Sequence, residues 1–230
     1  MTKVNVLILC GGLGTRFRSI SKKIPKALAI VSNKPILDWL LINLKKQGFN
    51  KVILATGFKG ELIDNHVKNH WNNSCIISKE NEPLGTGGAI KNAFKYISSE
   101  KILILNGDTL INYNFSNLID FHEKFNAEIS ILLSSITNGL DYGNILIDKN
   151  NNIIDFKEKG NVKKNMFVNS GVYCVNTRLI FDFPNKKSFS FEKDILEKWT
   201  LIKKIKGKVV KENFIDIGTP ERFKNANFKL

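Results

Sequence analysis

Leu7-Ile8-Leu9-Cys10-Gly11-Gly12-Leu13-Gly14-Thr15-Arg16, followed by Pro25-Lys26, is the stretch that orders the rest of the chain. Val4 to Leu9 is a short apolar run of the kind that forms a buried strand, and it halts at a glycine-rich turn. Glycines there let consecutive backbone N–H groups approach an anion, because no Cβ blocks the ligand or restricts the backbone. Arg16 and Lys26 add positive charge beside that nest. Together these residues suggest polyphosphate binding at the carboxyl end of the first strand. Three plainer readings compete. Gly12-Leu13-Gly14 begins a dinucleotide fingerprint, but Phe17 stands where its third glycine belongs. No G-x-x-x-x-G-K-[ST] phosphate loop occurs anywhere. An ordinary strand-to-loop turn would also use glycines, so the rest of the chain has to decide.

The 230 residues, 43% of them hydrophobic, suffice for one α/β domain with a sizeable core. No apolar run approaches the length of a membrane span, and the early first strand leaves no room for a secretory signal. Cys10, Cys75 and Cys174 are few, scattered and odd in number, which suits free thiols in a reducing cytoplasm. The net charge of +14 comes from 31 Lys and only 4 Arg, in a chain that also holds 28 Asn. Nucleic-acid readers favour Arg and concentrate charge on one face, whereas these lysines are spread along the chain. The sequence therefore argues against a nucleic-acid partner and for a general attraction to small anions.

Along the chain, Pro35 to Gly48 has helical apolar spacing, and Lys51 to Ala55 reads as a strand. Gly60 to about Trp71 reads as a helix that carries His66 and His70 on one face. With no third ligand nearby, a solvated surface is the expectation there. Cys75 to Ser78 is a strand leading into Glu80-Asn81-Glu82-Pro83-Leu84-Gly85-Thr86-Gly87-Gly88, which opens a helix to about Ile97. Lys101 to Leu105 is a strand ended by Asn106-Gly107-Asp108. This β-α-β-α order implies a parallel sheet with helices on its faces, and such sheets bind ligands at the carboxyl ends of their strands. Further strands are expected at Ala127–Ser134, Tyr142–Ile147, Ile153–Phe156, Phe167–Val175, Val209-Val210 and Phe214–Ile217. Helices are expected over about Glu192–Ile202 and after Pro220. Asp108, just past an apolar strand, could hold Mg²⁺ beside phosphates or simply cap a turn.

Taken as a set, Leu9-x-Gly-Gly-x-Gly-Thr-Arg16, Pro25-Lys26, Glu80-x-x-Pro-Leu-Gly-Thr-Gly-Gly88, Asn106-Gly107-Asp108, Glu158-Lys159, Asn169-x-Gly171 and Asp216-Ile217-Gly218-Thr219-Pro220 resemble the sugar-phosphate nucleotidyltransferases. The resemblance runs from residue 6 to about 225. The length and the Phe214-Ile-Asp-Ile-Gly-Thr-Pro220 ending are most similar to the D-glycero-α-D-manno-heptose 1-phosphate guanylyltransferases, with mannose 1-phosphate guanylyltransferases and uridylyltransferases as relatives. The resemblance implies a Rossmann-like, glycosyltransferase-A-like α/β fold: a mixed, mostly parallel sheet with helices on both faces. It also implies one domain over residues 1–230, with a nucleotide half to about residue 110 and a sugar half after it.

The implied reaction joins a nucleoside triphosphate to a sugar 1-phosphate and releases pyrophosphate. Leu9, Gly11, Gly12, Gly14, Thr15, Arg16, Glu80, Gly85 and Asp108 would bind the nucleotide. Arg16, Lys26, Asp108 and Asp216 would carry the chemistry, the two aspartates by holding Mg²⁺. Tyr142, Gly143, Glu158, Lys159, Asn169 and Gly171 would line the sugar-phosphate pocket. Glu80 favours GTP, since a carboxylate can accept both N1–H and the 2-amino group of guanine. Glu82 could serve instead, and a UTP-dependent enzyme stays an alternative. A non-catalytic regulatory member should have lost one of the four charged residues, and this chain keeps all four. Cys10 stands where many relatives carry Ala; no partnering base marks it as a nucleophile. The implied setting is cytoplasmic biosynthesis of a nucleotide-sugar for capsule or surface polysaccharide. The sequence leaves the oligomeric state open, a homodimer included.

Overall fold

The computed structural model describes residues 4–12, 24–72, 74–135, 144–157, 167–211 and 214–226. The apolar run after Val4 forms β1 (Asn5–Leu9), and a 3-10 turn at Lys26–Leu28 leads to a small hairpin, β2 (Ile30–Val31) and β3 (Lys34–Pro35). Then come α1 (Ile36–Lys46), β4 (Val52–Thr56), α2 (Gly60–Trp71), β5 (Cys75–Lys79), α3 (Gly85–Ala93) and β6 (Lys101–Asn106). The second half adds β7 (Thr109–Ile111), α4 (Ser116–Lys124), β8 (Ile129–Ser134), β9 (Asn144–Ile147), β10 (Ile153–Lys157) and β11 (Phe167–Asn176). It closes with a π-helical turn at Phe191–Leu196 that runs into α5 (Glu197–Trp199), then β12 (Ile205–Val210), β13 (Phe214–Asp216) and α6 (Pro220–Asn225).

β1 lies mid-sheet, parallel to β4 on one side and β6 on the other, and β5 extends the parallel set beyond β4. β11 pairs antiparallel with β6 and joins the two halves. β8 and β9 also run antiparallel to β11, while β12 is parallel to β8. The α/β mixed sheet expected from the sequence is thus present, and its parallel core is the first half. Alternation along each strand feeds two cores. Val6, Ile8, Leu54, Leu103 and Leu105 face α1, α2 and α4 on one side. Leu7, Ile53, Ile102 and Ile104 face α3, the π-turn and α5 on the other. Helices therefore cover both faces. Among the described residues, no helix is long and apolar enough to cross a membrane.

Four local expectations change. α4 and β7 carry no clear sequence signal, yet both form. The helix expected over Glu192–Ile202 is a π-turn plus a short α5 that stops at Trp199, where Ile202 and Lys203 N–H groups fold back onto the Trp199 carbonyl. The strand expected at Val209-Val210 begins four residues earlier, at Ile205. His66 does not face open solvent: its Nε2 lies 2.7 Å from Asp38 Oδ1 on α1, and the same oxygen accepts from Trp71 Nε1 at 2.8 Å. The pair ties α2 to α1.

Candidate active site

The carboxyl ends of β1, β5 and β6 open onto one cavity of about 450 Å³. Leu9, Cys10, Gly11 and Gly12 enter its wall from the first strand, Asn106, Gly107 and Asp108 from the sixth, and Lys26 and Ala27 from the 3-10 turn. Glu80, Pro83, Gly85, Thr86 and Ala89 come from the second glycine-rich stretch, with Ser188 from the segment before the π-turn. The fold thus brings together Leu9, Gly11, Gly12, Lys26, Glu80, Gly85 and Asp108. Gly14, Thr15, Arg16, Tyr142, Gly143, Glu158 and Lys159 lie outside the described residues.

Glu80 is buried beneath the first loop, 8% exposed. A Cβ on Gly11 would run into its carboxylate, so glycine is needed there for close approach rather than for a turn. The Leu84 N–H donates to Glu80 Oε2 at 3.3 Å, and Glu80 N–H donates to the Thr56 carbonyl at 2.7 Å. Burial holds the carboxyl above its usual pKa, and the Leu84 hydrogen bond only partly offsets this. Glu82, the other sequence candidate, is exposed and ion-paired with Lys187.

Asp108 follows β6, and Asp216 ends β13. The short β13–β7 pairing sets Asp216 opposite Thr109, and the Ile217 N–H donates to the Asp108 carbonyl at 3.1 Å. Two carboxylates more than 100 positions apart therefore share one corner. Asp216 titrates above its usual range, first through burial and then through the neighbouring Asp108 charge. Lys26, Arg222 and the Gly218 N–H work against that rise. Each carboxylate has a basic partner: Lys26 Nζ donates to Asp108 Oδ2, and Arg222 Nη1 donates to Asp216 Oδ2 at 2.6 Å. Among the described residues no cluster of three or more His, Cys, Asp or Glu is built for a metal. Two carboxylates nevertheless fit Mg²⁺, which takes one or two protein carboxylates and completes its shell with water and phosphate.

Gly171 packs against Asn106, at the end of β6 in the cavity wall. Its φ is +71°, and a Cβ there would sit 2.6 Å from Asn106 Nδ2. Asn169 Oδ1 accepts from the Gly171 N–H at 2.9 Å. The burial of Cys10 pushes its thiol far above the ordinary range, which leaves no reactive thiolate at the cavity wall.

The sequence reading missed Thr86, Ser188 and Arg222. Arg222 follows the Asp216-Ile217-Gly218-Thr219-Pro220 motif within α6, whose N-terminus is capped by Thr219 accepting from Arg222 N–H at 3.3 Å. Ser188 carried no signal, because its neighbours 187–189 reach the cavity only through long-range packing on α3.

A family profile described as Nucleotidyl transferase matches residues 5–230. The chain is 40% identical over 229 residues to D-glycero-alpha-D-manno-heptose 1-phosphate guanylyltransferase of Aneurinibacillus thermoaerophilus, covering 99% of this chain and 98% of the relative. It is 39% identical over 224 residues to the protein of the same name from Campylobacter jejuni, covering 96% and 97%. Its fold is similar to that of HddC from Yersinia pseudotuberculosis complexed with GMP-PN, with a TM-score of 0.85, 37% identity and 97% of each chain covered.

Proposed function

Because the chain belongs to the nucleotidyl transferase family, we propose that it transfers the guanylyl group of GTP to D-glycero-α-D-manno-heptose 1-phosphate, giving GDP-heptose and pyrophosphate. The observation that carries this reading is the cavity lined together by a buried acceptor, Glu80, a cationic Lys26 and Asp108, with Asp216 held next to Asp108 by the β13–β7 pairing. Nucleotidyl transfer asks little covalent work of a protein; it needs alignment of the attacking oxygen, and charge placed where the departing group develops it.

In this reading the first half, to about residue 110, holds the nucleotide and the second half the sugar. Glu80 accepts from N1–H and the 2-amino group of guanine, and the backbone of Gly11, Gly12, Gly14 and Thr15 follows ribose and phosphates. Arg16 steadies the departing pyrophosphate. Lys26 leaves Asp108 to lie between the α-phosphate and the incoming sugar phosphate, and Lys159 binds that phosphate from the far side. Tyr142, Gly143, Glu158, Asn169 and Gly171 receive the sugar hydroxyls. Mg²⁺, when bound, supplies charge neutralisation at the α-phosphate, with Asp108 and Asp216 as its protein ligands. Three free cysteines and soluble substrates suit a cytoplasmic enzyme serving surface-polysaccharide synthesis.

The test is pyrophosphate release in the presence of Mg²⁺, with GTP, UTP, CTP, ATP and dTTP each crossed with heptose, mannose, glucose and N-acetylmuramate 1-phosphates. Turnover with GTP and heptose 1-phosphate is expected. Turnover with no pair overturns the reading, and turnover only with UTP removes Glu80 from base recognition. Asp108→Asn and Asp216→Asn should each abolish most activity and weaken Mn²⁺ binding measured by electron paramagnetic resonance, with the unfolding midpoint retained.

A further inference from the structure

Glu192, in the π-turn, is a carboxylate whose donors among the described residues are all hydroxyls. Thr86 Oγ1 lies 2.6 Å from its Oε2, Ser190 Oγ 3.1 Å from the same oxygen, and the Tyr173 hydroxyl 3.2 Å from Oε1. Each of these hydroxyls already spends a lone pair on an N–H donor. Phe191 N–H donates to Thr86 Oγ1 at 2.8 Å, Lys193 N–H to Ser190 Oγ at 3.1 Å, and Asn169 Nδ2 to the Tyr173 oxygen at 2.8 Å. All three protons are therefore directed at Glu192, and only an acceptor-only group satisfies them together. Tyr173 is fully buried, and burial raises its pKa well above the usual value, so its hydroxyl keeps the proton that it donates.

The polarity of this relay propagates. With a carboxylate at one end, Tyr173 must donate to it and accept from Asn169, which forces the amide nitrogen of Asn169 toward Tyr173. Asn169 Oδ1 then faces the Gly171 N–H. Among the described residues, one N–H and one lone pair of the amide are then left over.

We infer that Glu192 is a positioning residue that acts through Tyr173, together with the donor-only Gly171 N–H on Oδ1, to hold the orientation of the Asn169 amide, and so the donor–acceptor pattern offered to the sugar hydroxyls. The inference rests on the proposed guanylyl transfer for its kinetic consequence alone. Glu192→Gln would present an N–H₂ to at least one hydroxyl that is already donating. Relief then requires either a lost hydrogen bond or an inverted Asn169 amide.

The experiment compares wild type, Glu192→Gln, Tyr173→Phe, Asn169→Ala and the Glu192→Gln/Asn169→Ala double variant. In protein labelled with ¹⁵N-asparagine, the side-chain amide pair that vanishes in Asn169→Ala belongs to Asn169. That pair should shift or broaden in both Glu192→Gln and Tyr173→Phe. With GTP and heptose 1-phosphate, Glu192→Gln should raise the sugar-phosphate KM about tenfold and leave the GTP KM within about twofold, as expected for one mispaired buried polar contact. In the Asn169→Ala background the same change should add less than about twofold, because a residue acting through Asn169 has nothing left to act on. Unmoved amide signals, or full additivity with Asn169→Ala, overturn the inference. If Glu192→Gln fails to fold, Tyr173→Phe removes one hydroxyl and carries both measurements. Wild type without turnover condemns the guanylyl reading, and the amide spectrum still decides this one.

Discussion

At the scale of single residues, the base-reading role proposed for Glu80 sets recognition against stability. Its carboxyl is pressed under Gly11 and Gly57, away from water, and its pKa is raised by that burial. The folded chain therefore holds this proton more tightly than the unfolded chain. Its contribution to stability is full below the ordinary value of 4.5 and is lost as pH rises through the raised folded value. Guanine recognition needs the opposite, ionised form. Calorimetry with GTP and Mg²⁺ should show affinity falling between pH 7.5 and 5.0 in wild type, with a smaller fall in Glu80→Gln. Glu80→Gln should also melt higher than wild type at pH 7.5, because a buried charge has been removed. Equal pH dependence in the two proteins would rule out Glu80 as the base-reading group. The sequence showed two glutamates in this loop, Glu80 and Glu82; burial of the one and the Lys187 ion pair of the other distinguish them.

At the scale of elements, the second glycine-rich stretch has a role that its composition did not reveal. It resembles a nucleotide loop, and Gly85 does line the cavity. Yet Gly87 and Gly88 N–H groups both donate to the Phe189 carbonyl, at 3.0 and 3.3 Å, and Phe189 N–H donates to the Leu84 carbonyl at 2.9 Å. A Cβ on Gly87 would collide with the Phe189 ring. Glycine here lets the 187–191 segment dock on the start of α3, and that docking delivers Ser188 to the cavity and Glu192 to Thr86. Gly87→Ala should cost about 1–3 kcal/mol by overpacking, lowering the melting temperature by roughly 2–10 °C. Phe189→Ala should recover part of that loss in the double variant, and independent, additive effects would show that the ring is not what the methyl meets. α4 escaped the sequence for a related reason. It has only nine residues, and it buries His122, a residue that reads as polar surface.

At the scale of the whole molecule, one sheet carries both halves, and His122 is a measure of how tightly α4 is sealed to it. His122 Nδ1 lies 2.9 Å from Ser130 Oγ on β8 and Nε2 3.1 Å from Asn176 Oδ1 at the end of β11. Asn176 Nδ2 donates to the Ala127 carbonyl, so Oδ1 is an acceptor and Nε2 carries the proton. Burial lowers the His122 pKa, with the Asn176 hydrogen bond opposing. The folded imidazole stays neutral while the unfolded one protonates below the ordinary value of 6.5. Stability from this group is therefore present above that value and is lost as pH falls below it toward the depressed folded value. Urea unfolding should give a lower midpoint at pH 5.5 than at 7.5, and His122→Gln should flatten the difference; an equally steep loss in the variant would assign it to other groups. The sequence by itself determined the strand-and-helix order of the first half, the three strand ends that open onto one cavity, and the charged residues Lys26, Asp108 and Asp216. The strands and their ends follow from local patterns, apolar period and glycine punctuation, whereas Asp108 and Asp216 stand out as a pair only through the resemblance carried by the whole set of motifs. Only the tertiary structure decided that Asp216 sits beside Asp108, that each carries a basic partner, and that Thr86, Glu192, Tyr173 and Asn169 form one hydrogen-bonded relay. The Lys26–Asp108, Asp108–Asp216 and Thr86–Glu192 contacts join residues about a hundred positions apart through an antiparallel return and a docked segment. Even the short-range Asp216–Arg222 and Asn169–Tyr173 contacts depend on the strand ends and helix that the fold sets in place. Their partners are fixed by which strands pair and which surfaces pack, and no local pattern in the chain records that choice.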